Sequence, residues 1–366
     1  MFLPFGFFKN QVPKPTLDPA YPTGGVGNYI KAMVQSGNTI FVGGLFTSIG
    51  GQTRNRIAAI DATTGAVLSW YPTGGANSDI YGLALSGNTL FVAGSFTNIG
   101  GTTRNGIAAL DATTGAVLPW YPTGGLGGTT FGKCLVLSGS TLYIGGSFSS
   151  IGGVARTNIG AVDANTGATL SWYPSGGVNF NLNVLYLNSG VLYLGGGFTS
   201  VGGQSRTLLA AVDPSTASVL SWNPTNGGGN NYVETIVRNG NIVYIGGSFS
   251  SLNSTLRFGI AAIDATTGSL LSWLPDLNGG QLTGLVLNGT SLYLIGNFST
   301  VNGTARSRIA SVSTITAGTL SWYPTGGVDA TVDTSYALDG NTLWIAGGFS
   351  NVGGQSRVRI AKLNLS

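Results

Sequence analysis

Short runs of alternating apolar and polar residues, bounded by Gly, Asn, Asp and Pro, recur along the whole chain. In residues 80–121 four such runs follow one another: IYGLALS (80–86), TLFVAGSF (89–96), GIAALD (106–111) and AVLPWY (116–121). Alternation with β-branched and aromatic content predicts four short strands. The joints between them read S-G-N, S/T-x-x-G-G-x-x-x-R, D-A-T-T-G and Y-P-T-G-G, each rich in residues that favour turns. No segment carries a helical period of useful length.

The unit repeats. Trp recurs at Trp70, Trp120, Trp172, Trp222, Trp273 and Trp322, at spacings of 49 to 52 residues. A Gly-Gly-x-Phe marker or a close variant places Phe46, Phe96, Phe148, Phe198, Phe249, Phe298 and Phe349, with an Arg eight residues after each. Two markers therefore count seven copies, and a period near 50 points to propeller blades rather than helical solenoids. The last copy supplies SYALD, TLWIAGGF and RIAKLN, then ends without its fourth run. An orphan fourth run stands near the other terminus: TLDPAYPTGG (16–25) matches AVLSWYPTGG (66–75). Laying residues 16–22 on the edge of the last copy closes the ring and covers an unpaired sheet edge. The expectation is an all-β, seven-bladed β-propeller with four antiparallel strands per blade. An aromatic arm (1–15) precedes a single domain (16–366).

The unit G-G-x-F-T-x-x-G-G-x-x-R-x-x-I-A-A-I-D-x-x-T-G-x-x-x-x-W-x-P, read from residues 43–72, resembles the delta-60-type propeller repeats of bacterial and phage proteins. It looks distantly like kelch blades, whose Gly-Gly, Tyr and Trp spacing it does not match. The resemblance covers residues 16–366 and implies a fold; the family has no single activity to carry over.

Composition narrows the chemistry. Charged residues are 8% of the chain and His is absent, which removes the commonest general base and metal ligand. Cys134 is the only cysteine, so intrachain disulfides and thiolate clusters are excluded. The net charge of +4 comes from scattered residues without a basic run, so no nucleic-acid partner is expected. The N-terminal MFLPFGFFKN has no basic segment, is broken by Pro4 and Gly6, and does not read as a signal peptide; no transmembrane stretch follows.

The repeated residues read as structure. Arg54, Arg104, Arg156, Arg206, Arg257, Arg306 and Arg357 each follow a Gly-Gly turn, where a guanidinium suits tying loop carbonyls to the next blade. Asp61, Asp111, Asp163, Asp213 and Asp264, with Ser313 and Asn364 in the last two copies, precede turns they are suited to cap. The spacing offers too few carboxylates for Ca²⁺. The Trp-Tyr-Pro element predicts packing between blades. No catalytic residue, cofactor or metal ligand is assigned, and an enzyme is not expected.

Function is expected where the copies differ, in the connections after Y-P-T-G-G. The candidate ligand face comprises Asp79, Tyr81, Lys133, Phe180, Asn231, Tyr232, Glu234, Asp329 and Asp333. Its Asn, Thr and aromatic character suits a glycan or a protein. Phe2, Leu3, Phe5, Phe7 and Phe8 of the arm belong to no blade and form a candidate site for other protein subunits. Together these features lead to a virion or extracellular-surface subunit, such as a phage tail, fibre or capsid decoration, anchored by its arm. The alternative is a bacterial surface module that binds carbohydrate or protein, including a host-surface glycan, through the variable face.

Overall fold

The computed structural model describes residues 17–128, 131–225 and 228–365. The first sheet orders Ile30–Ser36, Thr39–Gly44 and Ile57–Asp61 as neighbours, all antiparallel. The same trio recurs six times among the described residues, with first strands Ile80–Ser86, Phe131–Ser138, Leu182–Asn188, Val233–Asn239, Gln281–Asn288 and Val332–Asp339. Each middle strand is covered on both faces and is buried almost throughout, as in Thr39–Gly44. This explains its near-continuous apolar run.

First strands of successive sheets pack together, and Val332–Asp339 packs on Ile30–Ser36. The core is accordingly a set of interfaces between successive sheets. One joins Phe41, Ile57 and Ala59 to Ile80, Leu90 and Val92. Another, between the last sheet and the first, joins Trp344, Ala346 and Ile360 to Val26, Ile40 and Val42.

The expected fourth strands are shorter than the sequence suggested. Each is an edge segment held to the third strand by a single bridge, as in Ile60–Val67 and Leu110–Val117. The Trp-Tyr-Pro that follows explains why. Trp70 turns off the edge so that its indole Nε1 donates to the Asp111 carbonyl of the next sheet at 3.0 Å, and Pro72 has no N–H to extend the ladder. The same bond joins Trp120 to Asp163, Trp172 to Asp213, Trp222 to Asp264, Trp273 to Ser313 and Trp322 to Asn364. Each indole also meets a middle-strand ring of its own sheet edge-on, such as Phe41 at 4.8 Å.

The repeated Arg makes a different tie from the one expected. Arg54 donates through Nη2 to Leu68 O at 3.2 Å and lies 4.8 Å from the Tyr71 ring. Both partners belong to its own repeat, because the Gly-Gly turn folds the Arg over that repeat's edge segment. Arg104, Arg156, Arg206, Arg257 and Arg306 likewise donate to a carbonyl fourteen residues on. Arg357 makes the equivalent tie to the N-terminal segment. Its Nη2 donates to Asp18 O at 3.2 Å, and its guanidinium lies 4.2 Å from the Tyr21 ring. Leu17 bridges Leu363, Asp18 N donates to Lys362 O at 3.0 Å, and Lys362 Nζ pairs with Asp18 Oδ2 at 3.0 Å. The described N-terminus thus takes the edge position of the last sheet. The aromatic arm, with Phe2, Leu3, Phe5, Phe7 and Phe8, lies outside the described residues.

Asp61 Oδ1 accepts the N–H groups of Thr63 and Thr64 at 2.9 and 2.7 Å, and Ser313 Oγ does the same for Ile315 and Thr316. The backbone N–H of the third residue on, Thr64 for Asp61, holds each of Asp61, Asp111, Asp163, Asp213 and Asp264 below the usual carboxylate range. The unfolded chain therefore binds more protons at acid pH, and the stability these caps confer is present above the ordinary Asp value and lost as pH falls through the folded values. Urea unfolding midpoints are expected to drop between about pH 5 and pH 2. A variant with all five changed to Asn, which still accepts the N–H bonds, should show a shallower acid dependence; an unchanged slope would contradict the assignment.

Candidate functional site

Each first strand contains one break in register, and the break is what builds the site. In the first sheet Ile30 pairs with Gly44 and Ala32 with Gly43, so Lys31 is extruded as a β-bulge. The cause is a Gly at the end of each middle strand. A Cβ on Gly44 would lie 2.2 Å from Tyr29 O, and the equivalent distances at Gly94, Gly146, Gly196, Gly247, Gly296 and Gly347 are 2.1 to 2.2 Å. Only Gly lets the first strand press this close, and the bulge re-aims the next side chain inward.

The extruded residues are Lys31, Tyr81, Lys133, Asn183, Glu234 and Thr283, with Asp333 in the longer irregularity between Val332 and Tyr336. All seven line one central cavity of about 490 Å³. Seven equivalent positions therefore carry six residue types.

The ring is electrostatically knit. Lys31 Nζ lies 3.1 Å from Asp333 Oδ1. Lys133 Nζ donates to Asn183 Oδ1 at 2.8 Å, Asn183 Nδ2 donates to Glu234 Oε1 at 2.9 Å, and Lys133 reaches Glu234 Oε2 at 3.7 Å. Thr283 Oγ1 donates to Val332 O at 2.7 Å. Tyr81 donates to Asp79 Oδ2 at 3.3 Å, while Asp79 Oδ1 accepts from Arg56 Nε at 3.1 Å. Burial pushes the Asp333 carboxyl above its ordinary value despite the opposing pull of Lys31. Burial, then the Asp79 charge, raises the Tyr81 phenol. Below the ring, Met33, Leu83, Leu135 and Ile236 give the cavity an apolar wall. Cys134 also lines it; burial pushes its thiol up to about 12, so it is protonated at neutral pH and unsuited to nucleophilic work.

The structure thus brings four of the nine expected face residues, Tyr81, Lys133, Glu234 and Asp333, onto the ring and sets Asp79 behind Tyr81. The other four lie apart from the cavity. Phe180 and Tyr232, 51% and 37% exposed, flank Gly197 on the surface. Asn231 sits at φ +63° and donates to Ser248 O at 3.2 Å, and Asp329 accepts the N–H groups of Ser350 and Asn351 at 2.9 and 3.0 Å. Asn231 and Asp329 therefore brace loops. Asp329 does for the last repeat what Asn77 and Asn179 do for theirs, because a connection pairing with the small hairpin beside it needs a side chain to cap that hairpin. Lys31, Asn183 and Thr283 were missed by pattern reading. They stand fifteen residues before Phe46, Phe198 and Phe298, the same offset that places Tyr81, Lys133 and Glu234.

Residues 31–316 match the PQQ_2 family model, described as outer membrane protein assembly factor BamB. The chain belongs to the PQQ_2 family. Residues 341–366 of this PQQ_2 chain also match DUF5122, a β-propeller domain of unknown function; neither match names the delta-60 or kelch type. No curated protein matches. Among solved structures, the computationally designed Ika8 protein aligns over 95% of this chain and 100% of its own, at 14% identity and a TM-score of 0.59. The WD40 β-propeller domain of Doa1 aligns over 96% and 97%, at 9% identity and a TM-score of 0.56. BamB from Moraxella catarrhalis aligns over 91% and 82%, at 18% identity and a TM-score of 0.47. The fold is an all-β propeller. Among the described residues no helix is long and apolar enough to cross a membrane.

Proposed function

We propose that this PQQ_2 chain is a seven-bladed propeller with four-stranded blades, of the delta-60 type, working as a non-enzymatic binding scaffold in a virion or extracellular surface assembly. The observation that carries the scaffold reading is how the repeated side chains are used. Trp, Arg and Asp, the residues present in nearly every copy, are consumed by bonds within and between sheets. Side-chain variety is left to the cavity ring and to the connections that precede the first strands. The family description, an assembly factor, supports a partner-binding role. Anchorage through Phe2, Leu3, Phe5, Phe7 and Phe8 follows from an apolar run that no repeat claims.

Deleting residues 1–12 is expected to abolish incorporation into particles while leaving the melting curve unchanged. A truncated protein that still co-sediments with particles at wild-type occupancy overturns the anchoring role. A second reading, carbohydrate binding, is favoured by the exposed Phe180 and Tyr232, since two aromatic faces beside Asn-rich loops suit stacking on sugar rings. A glycan array on which the wild type binds and the Phe180→Ala/Tyr232→Ala variant does not would establish it over the protein-partner reading.

A further inference from the structure

Around the cavity the ring residues read Lys, Tyr, Lys, Asn, Glu, Thr, Asp. The charges are sorted rather than alternating. One arc, from three successive sheets, holds Lys31, Tyr81 and Lys133; another, also from three successive sheets, holds Glu234, Thr283 and Asp333. Within the ring the ion pairs lie where the arcs meet, Lys31 with Asp333 on one side and Lys133 with Glu234 through Asn183 on the other, while Asp79 behind Tyr81 is balanced by Arg56. The centres of the arcs, Tyr81 and Thr283, are uncharged. The ring therefore has no net charge but a permanent dipole directed from one wall of the cavity to the opposite one. Its four charged side chains are 18 to 32% exposed, so this field is only partly screened.

We infer that the central cavity is a binding site for a small zwitterion of the apolar α-amino-acid type, with its carboxylate toward the Lys31–Tyr81–Lys133 arc and its ammonium toward the Glu234–Thr283–Asp333 arc. Charge balance selects this class. A simple anion or a simple cation would satisfy one arc, face the like charge of the other, and add a net charge to a neutral, half-buried ring. A zwitterion completes the dipole and adds none. The Asp333 carboxylate has unused accepting capacity: no donor among the described residues reaches its buried Oδ2. Beneath the ring, Met33, Leu83, Leu135 and Ile236 offer an apolar surface for a hydrocarbon side chain. The volume, about 490 Å³, falls in the range of small-molecule sites.

The inference is independent of the Phe180–Tyr232 surface and the arm, and its test separates them. Isothermal titration of the full chain with L-leucine should show saturable binding of one molecule per chain. Isovalerate and isopentylamine, which each keep only one of the two charges, should bind at least roughly tenfold more weakly. Asp333→Asn should weaken L-leucine by a similar factor. Because that change strands Lys31, the Lys31→Met/Asp333→Asn variant serves as the folding control; it keeps the ring neutral, should melt like wild type and should still lose binding. Phe180→Ala/Tyr232→Ala should bind L-leucine normally whatever it does to partners. No saturation by L-leucine up to about 10 mM, equal affinity for isovalerate, or wild-type binding by the neutral double variant overturns the inference.

Discussion

Deleting residues 1–22 is expected to lower the melting temperature by roughly 4–6 °C relative to deleting residues 1–12, which spares every described contact. The extra residues remove the Leu17–Leu363 bridge, the Asp18–Lys362 ion pair and the Arg357 contacts to Asp18 and Tyr21. They also take away Ala20, only 5% exposed, and bare Leu363, now fully buried. Losing a packed segment and removing the partners of Lys362 and the buried Arg357 costs about 3–5 kcal/mol. The consequence goes beyond the last sheet. That sheet packs on the first through Trp344, Ala346 and Ile360. With its edge stripped, unfolding can begin there and leave an open strand edge that templates aggregation. Differential scanning calorimetry of the two deletions decides it; superimposable transitions would mean that the N-terminal segment does not hold the ring shut.

The pairing of the N-terminal segment with the last sheet was legible in the sequence because it is written in markers. Trp, Phe and Arg recur at fixed offsets, and the orphan TLDPAYPTGG matches the one run missing from the last copy. The edge segments were over-read: AVLPWY has the composition of a strand, but Pro and the turn of Trp120 toward the next sheet leave one bridge, Leu110–Val117. The repeated Arg was placed on the right turn and given the wrong partner, since sequence spacing does not say on which side of a sheet a turn folds. The site was half legible. Tyr81, Lys133, Glu234 and Asp333 stand out as rare charges or rings in variable stretches. Lys31, Asn183 and Thr283 sit inside strands whose simple alternation assigns them to no cavity. A bulge resets that alternation, and only superposing the copies on the Phe marker exposes the offset.

Gly247→Ala is the second large effect expected, and it tests that bulge directly. A Cβ there would stand 2.1 Å from Tyr232 O and 3.0 Å from the Tyr232 carbonyl carbon and Val233 Cα. These are backbone atoms, so the first strand must move rather than a side chain swing aside. Val233 is fully buried opposite Gly247, so the shift propagates into the core between the fourth and fifth sheets. A destabilisation of about 3 kcal/mol follows from overpacking of this severity. Gly240→Ala provides the contrast. It meets nothing within 4 Å and carries only the strain of φ +55°, worth about 1 kcal/mol. The sharper readout is local. Glu234 is the residue the bulge extrudes, and its 2.9 Å bond from Asn183 and 3.7 Å approach to Lys133 depend on that extrusion. With the strand pushed off Gly247, both contacts should lengthen, and the amide signals of Asn183 and Glu234 should shift in NMR spectra while those of the first sheet stay in place. A Gly247→Ala protein as stable as wild type, with unshifted ring signals, would mean that the glycine does not set the bulge, and the ring would need another cause.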